Sequence, residues 1–289
     1  MIELDQVKAR AAPVGLGPVS LRFQAGISAL VGTKSDGVSL LLDVIAARAK
    51  AKAGRVQVLG GAPDAPSVRR AVGYVPLDAV LPDALRVSEA LDLARTIRGE
   101  EETGDADARG RLSVLGIESL ATRRLGTLDV REVRAVALAE ALTSKAVRVV
   151  LIEEPFATVD ARALGALPAL LKQRAKEGAC IVIGTASTRD ARDLTDQRFA
   201  FDRGILLAEP HVRATEAELH VVARDPRALA GALAKESAIA EIVASDQRVI
   251  VRGTDTLAMA HAVARAVLAS GVELDSLRLE PLSPLLHEK

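Results

Sequence analysis

Tryptophan is absent from the 289 residues, and the remaining rings are one tyrosine, Tyr74, and four phenylalanines, Phe23, Phe156, Phe199 and Phe201. A protein that stacks bases, sugars or flavins on aromatic faces has very few faces here to use. Cysteine occurs once, as Cys180, which excludes an intramolecular disulfide and fits a reducing compartment. Neither sign of charge is in excess: 38 Lys and Arg stand against 38 Asp and Glu, which argues against a dedicated nucleic-acid binder. Long apolar runs are missing too. Those at 27–31, 149–152 and 179–183 fall far short of the ~18–20 residues a spanning helix needs. Met1-Ile2-Glu3-Leu4-Asp5 shows no basic region leading into an apolar stretch, so no secretory signal is expected. The expected location is the cytoplasm, with any membrane reached through partner subunits. His211, His220, His261 and His287 are scattered without zinc spacing. They read as surface residues, His261 as a packed histidine near an apolar helix face, and Cys180 as a core thiol.

Apolar residues make up 49% of the chain, enough for a substantial core and enough to exclude global disorder. Strand patterns at 2–7, 19–23, 27–31, 55–59, 72–76, 147–152, 180–183, 197–201 and 205–207 are interleaved with helical patterns at 40–45, 87–97, 108–115, 130–142 and 161–176. Such alternation implies an α/β domain around a mostly parallel sheet. The acidic stretch 100–105 reads as a solvated loop. Beyond a linker at 209–217, a β-α-β-β-α-β order fills 218–289, which is the ferredoxin-like arrangement. Its last helix, 256–270, places Leu257, Ala260, Ala264, Val267 and Leu268 on one face. The tail 281–286 (Pro-Leu-Ser-Pro-Leu-Leu) reads as a docking segment.

The chemistry should lie after strand 27–31, where Gly32-Thr33-Lys34-Ser35-Asp36-Gly37-Val38-Ser39 leads into Leu40 and a helix. Both glycines and the final serine match the phosphate-binding pattern Gly-x-x-x-x-Gly-Lys-Ser/Thr, with Val38 in the lysine place. That lysine reaches the β- and γ-phosphates, and no apolar side chain replaces its charge. Lys34 could substitute only in a shorter loop, whereas the present spacing fits the full-length form. Further along come Gly54-Arg55-Val56-Gln57-Val58-Leu59-Gly60, Val72-Gly73-Tyr74-Val75-Pro76, Leu85-Arg86-Val87-Ser88-Glu89-Ala90-Leu91, Val136-Ala137-Leu138-Ala139-Glu140-Ala141-Leu142, Val150-Leu151-Ile152-Glu153-Glu154-Pro155, Val159-Asp160 and Asp202-Arg203-Gly204. Together and in this order they resemble an ATP-binding subunit of an ABC transporter, over nearly the whole sequence. The C-terminal module is similar to the accessory domain of some drug-export and gliding-type subunits.

The departures from that family's pattern are as informative as the matches. The resemblance implies an adenine-stacking ring near the N-terminus, where this chain has Arg10-Ala11-Ala12-Pro13; a Walker A lysine, where it has Val38; and a Q-loop glutamine, where it has Leu77. The signature Leu-Ser-Gly-Gly-Gln reads Leu128-Asp129-Val130-Arg131-Glu132, and the switch histidine is Ala186. A Val-Arg pair cannot offer the close backbone approach that glycines give a γ-phosphate, and Asp129 would repel it. The vestigial nucleotide loop is then Gly32, Ser35, Gly37, Val38, Ser39 and Leu40. The vestigial magnesium ligands are Ser39 and Glu153, the vestigial catalytic base is Glu154, and Asp160 stands in the D-loop.

The expectation is therefore an α/β, P-loop NTPase-like ABC ATPase domain over 1–208 with a helical subdomain at about 80–145, plus a small ferredoxin-like α+β domain. What the resemblance implies is a degenerate subunit with no cofactor of its own, paired with an active paralogous ABC ATPase on transmembrane permease subunits and binding no nucleic acid. Two alternatives are open: a slow but genuine ATPase that binds ATP and Mg, and a scaffold module of a motility or envelope machine.

Overall fold

The computed structural model describes residues 1–100, 104–159, 161–207, 217–234, 236, 239, 241–245, 248–253 and 256–281. The chain divides into two compact units, Met1–Pro210 and His211–Lys289. In the first, the order is β1 (Ile2–Ala11), β2 (Val14–Phe23), β3 (Gly26–Val31), α1 (Val38–Ile45), β4 (Ala53–Val58), α2 (Pro66–Arg70), β5 (Val72–Val75), α3 (Val87–Arg98), α4 (Gly104–Ser113), α5 (Val130–Thr143), β6 (Val149–Glu153), α6 (Ala161–Lys176), β7 (Cys180–Thr185), α7 (Thr188–Leu194), β8 (Arg198–Asp202) and β9 (Ile205–Leu206).

Six of these strands form one sheet in the order β5-β6-β7-β3-β8-β9, parallel except for the antiparallel β9. A parallel sheet is covered on both faces, so its strands are apolar without alternation. Val149 to Ile152 of β6 and every residue of β7 are accordingly buried. Val150, Ile152, Ile181 and Ile183 meet α5 and α6, the latter through Ala163, Leu167 and Leu171 at a four-residue spacing. On the other face Val149, Leu151, Cys180 and Val182 meet Leu41, Leu42 and Ile45 of α1. Cys180 is fully buried there, and burial pushes its thiol pKa up to about 11, as a core thiol requires.

Two features differ from the reading of the sequence. First, β1, β2 and β4 stay out of the parallel sheet and form a separate antiparallel sheet, β2-β1-β4. One face of β1 packs on α1 through Ile2, Leu4, Val7 and Ala9, while Glu3, Asp5 and Lys8 are exposed. Phe23 of this sheet meets Phe199 edge to face, with ring centroids 5.6 Å apart. Second, of the acidic stretch 100–105, where 101–103 lie outside the described residues, Glu100, Gly104 and Asp105 do not belong to a solvated loop. The Glu100 carboxylate accepts from the Ala146 amide at 2.6 Å and the Ser144 hydroxyl at 2.8 Å. Burial pushes its pKa up, but those hydrogen bonds and the charges of Arg111 and Arg95 together hold it below the usual carboxylate range. Gly104 and Asp105 already belong to α4, which with α3 and α5 joins the core through Leu91, Leu112 and Leu138.

The second unit runs β10 (Ala217–Ala223), α8 (Pro226–Leu233), β11 (Glu241–Ala244), β12 (Arg248–Gly253), α9 (Thr256–Ser270) and β13 (Leu274–Pro281). Its sheet has the order β11-β12-β10-β13 with every neighbouring pair antiparallel. Asp225 caps α8 by accepting from the Ala228 amide at 3.0 Å, with Pro226 in the first turn. The buried face of α9 is Met259, Ala262, Val263 and Ala266, rotated from the expected one, and Leu268 is 83% exposed. His261 is exposed as well, not packed. An alanine-rich helix has little contrast between its faces, so packing against β10 and β12 decides which one is buried. Among the described residues no helix is long and apolar enough to cross a membrane. The expected linker at 209–217 lies outside the described residues except for Ala217, and the docking tail does so except for Pro281.

Candidate functional site

In a parallel sheet the strands' carboxyl ends line up, and ligands bind outside them. Here β3, β6 and β7 are neighbours, and Glu153 stands in register with Gly184, so the segments following all three strands converge on one edge. The loop after β3 is pinned there by the Gly32 amide, which donates to the Thr185 carbonyl at 3.0 Å. A short 3-10 turn, Lys34–Asp36, and Gly37 in the left-handed conformation (φ 86°) then deliver the chain into α1. Ser35 shares a 2.6 Å hydrogen bond with the Thr33 hydroxyl, while Lys34 is exposed. Val38 and Leu40 are buried and Ser39 is half-buried in the first turn of the helix.

Val38 does not face the loop opening. It is 3% exposed and lies in a slot between two glycines. A methyl group on Gly184 would stand 2.6 Å from its Cγ1, and one on Gly32 would stand 3.1 Å from its Cγ2. Asp36 turns back on the loop: its Oδ2 accepts from the Thr33 amide at 2.8 Å and the Thr33 hydroxyl at 2.6 Å. Its Oδ1 accepts from the Arg203 amide at 3.1 Å. Burial pushes this carboxyl up, but the hydrogen bonds from Thr33 and Arg203, with the Arg203 charge, outweigh it and hold the pKa below the usual range.

The two acids at the end of β6 are engaged as well. Glu153 accepts from the Tyr74 hydroxyl at 2.7 Å and from the Leu77 amide at 3.1 Å. Glu154 has a left-handed backbone (φ 42°), and its carboxylate accepts from the Thr185 hydroxyl at 2.9 Å and the Ala186 amide at 2.7 Å. Leu77 and Ala186 thus contribute backbone donors, and both side chains are exposed. Asp160 lies outside the described residues.

Leu128 to Glu132 lie at the start of α5, where residues 129–132 form a capping box. The Asp129 carboxylate accepts from the amides of Arg131 at 2.8 Å and Glu132 at 2.9 Å, and Glu132 accepts from the Asp129 amide at 3.0 Å. The bond from the Glu132 amide is the largest influence holding the Asp129 pKa below its usual value. Val130 is 72% exposed, and Arg123 pairs with Glu132 at 2.6 Å.

Three residues of the site were missed in the sequence: Asp43, Tyr74 and Arg134. Tyr74 has one hydroxyl proton for two carboxylates, Glu153 and Asp43, the latter 3.1 Å away. Burial, helped by the Glu153 charge, raises the Asp43 pKa above its ordinary value despite Tyr74 and Arg48. The folded-state pKa then exceeds the unfolded one. The resulting penalty on the ionised carboxylate is present near neutrality and vanishes as pH falls below the ordinary range. Asp43→Asn should therefore unfold at higher urea than the wild type near pH 7, with the midpoints converging in acid; a gap that widens in acid would contradict this.

Arg134 is 1% exposed, and its guanidinium donates to four carbonyls. These are Pro76 at 2.5 Å, Leu77 at 3.1 Å, Glu154 at 2.8 Å, and Glu153. One fork thus holds both the segment after β5 and the end of β6. Its signal in the sequence was an arginine one helical turn before Leu138, on the apolar face of α5.

The family model described as ABC transporter matches residues 16–157, which contain the loop, the capping box and both acids. Those residues form an ABC transporter ATP-binding domain. Curated relatives of the ABC domain carry matching names. The taurine import ATP-binding protein TauB of Pseudomonas fluorescens is 32% identical over 168 residues, which is 56% of this chain and 62% of that protein. The sulfate/thiosulfate import ATP-binding protein CysA of Nephroselmis olivacea is 29% identical over 195 residues, covering 66% and 57%. The broad substrate specificity ATP-binding cassette transporter ABCG2 of Mus musculus is 29% identical over 178 residues, covering 58% and 27%. The chain therefore spans between about a quarter and two thirds of the length of these relatives. A solved structure of an ATP-binding subunit of an ABC transporter superposes with a TM-score of 0.65 at 22% identity, over 72% of this chain and 88% of that one, which supports the fold of the ABC domain.

Proposed function

We propose that this chain is a catalytically degenerate ATP-binding-cassette subunit of an ABC transporter-type membrane complex. It acts there as the structural or regulatory partner of an active ABC ATPase, seated on permease subunits at the cytoplasmic face. The observation that carries this reading is Val38. At the place of the phosphate-binding lysine, a buried apolar side chain fills a slot between Gly32 and Gly184 and offers a phosphate no charge. The remaining groups do not fit Mg-ATP either, since Glu153 is occupied by Tyr74 and Leu77, and Glu154 by Thr185 and Ala186. Electrostatic positioning supplies most of phosphoryl-transfer catalysis, so its loss at lysine, glutamine and histidine together removes many orders of magnitude. For the C-terminal unit we propose a ferredoxin-like accessory module, on its β-α-β-β-α-β order and fully antiparallel β11-β12-β10-β13 sheet.

The test is titration of the full chain, alone and in its isolated native complex, with Mg-ATP from micromolar to low-millimolar levels. The expected result is no saturable binding by the chain, with turnover in the complex traced to a second ATPase subunit. Saturable binding with phosphate release by this chain alone would favour the slow-ATPase alternative. A native complex lacking permease subunits but holding motility or envelope proteins would favour the scaffold alternative.

A further inference from the structure

The loop before α1 and the start of α5 share one device: a side-chain carboxylate takes up backbone amides of its own segment. In the loop, Asp36 accepts from the Thr33 amide and hydroxyl, and its other oxygen reaches the Arg203 amide. The same residue's carbonyl accepts from the Gly204 amide at 3.0 Å. That turn cannot move away easily. The Gly204 carbonyl accepts from the Gly17 amide at 2.8 Å, and a Cβ on Gly204 would fall 1.9 Å from the Gly15 carbonyl oxygen. Asp36 thus seals the loop against a turn that is itself tightly seated on β2. At α5, the Asp129 carboxylate takes the Arg131 and Glu132 amides.

Amides gathered in a tight turn or at a helix start attract an anion, and a carboxylate on the same chain competes at high effective concentration. We propose that Asp36 and Asp129 are specificity-determining residues, tethered anions that occupy the amide positions of their own segments and so exclude polyphosphate from both. This deepens the proposed function and rests on it. Repulsion between two negative charges would act at a distance, whereas here the Thr33, Arg131 and Glu132 amides are themselves already used. The exclusion is thus separate from the missing lysine at position 38, and it has its own reversal.

The experiment compares the full-length wild type with Asp36→Ala, Asp129→Ala and the double variant, using inorganic pyrophosphate as the probe. The readouts are the thermal midpoint with and without low-millimolar pyrophosphate, and amide exchange at Thr33, Arg131 and Glu132. The wild type should show no shift with pyrophosphate. The variants should melt lower in buffer, exchange those amides at least about ten-fold faster, and regain part of the lost midpoint with pyrophosphate. Variants that stay indifferent to pyrophosphate overturn the proposal, and so does a wild type that responds as strongly as they do. If the alanine variants do not fold, Asp36→Asn and Asp129→Asn replace the charged acceptor with a neutral oxygen that holds the amides about half as strongly; a smaller pyrophosphate response of the same sign is then expected, and its absence overturns the proposal. Failure here is distinguishable from failure of the function above, which turns on Mg-ATP binding by the unmodified chain.

Discussion

Replacing Arg134 with methionine is expected to lower the unfolding free energy by about 2–4 kcal/mol. The guanidinium is 1% exposed and is shared among the carbonyls of Pro76, Leu77, Glu153 and Glu154. Methionine fills much of the same volume but donates nothing, and each buried acceptor left without a donor costs about 1–3 kcal/mol. Two effects hold the total below the sum. The desolvation of the cation, which pushes the Arg134 pKa down, disappears with it, and water can reach the half-open Leu77 side. Arg134→Lys should recover less than half of the loss, because a point charge with three donors cannot span carbonyls from two segments as a planar fork does. Urea unfolding measures both variants, and hydrogen exchange at residues 77 and 154 reports the local release. A methionine variant within about 0.5 kcal/mol of the wild type would refute the clamp, that being the usual range for a surface substitution.

How much of this was legible beforehand follows from the distance over which each interaction acts. β6 and β7 could be read because continuous apolar runs bounded by breakers report local burial, and the loop could be read because Gly32, Gly37 and Ser39 sit at fixed spacing. The boundaries of α6 were readable for the same local reasons. Contacts that join distant segments left no such trace. Tyr74 and Glu153 are separated by 79 positions and Arg134 and Pro76 by 58, so neither pairing has a periodicity to announce it. Asp129 was visible as a misplaced carboxylate, yet its sign alone suggested repulsion, and Asp36 stood in the loop with no partner assigned to it. Only the geometry shows each of them accepting amides two or three residues away, in addition to Arg203 for Asp36. Glu100 failed in the same direction: a charge run looks solvated until Ala146 and Ser144 are found beside one of its members.

Val38→Lys is expected to leave ATP turnover at background and to cost about 2–4 kcal/mol of stability. The side chain at 38 stands in a slot with room for little beyond valine, since ideal Cβ positions on Gly184 and Gly32 would lie 2.6 and 3.1 Å from its methyls. A lysine must displace neighbours such as Leu42 or bend its stem out toward the loop, and its ammonium cannot remain among Leu41, Leu42 and Ile45. Bending out brings it beside Asp36, whose Cβ flanks Gly32 at 3.2 Å from that same ideal position. The new cation then meets a carboxylate already on the chain before it meets a phosphate. Restoring the charge also leaves Leu77 and Ala186 without a side chain that can hold a metal or a γ-phosphate, and leaves Glu153 and Glu154 bonded to internal donors. Phosphate release by the purified full chain, beside an ATPase of intact motifs as control, measures the first half of the expectation, and urea unfolding the second. Turnover more than about ten-fold above the wild type, a barrier change of only about 1.4 kcal/mol, would mean that one substitution had silenced an otherwise competent site, and the case for several independent losses would fall.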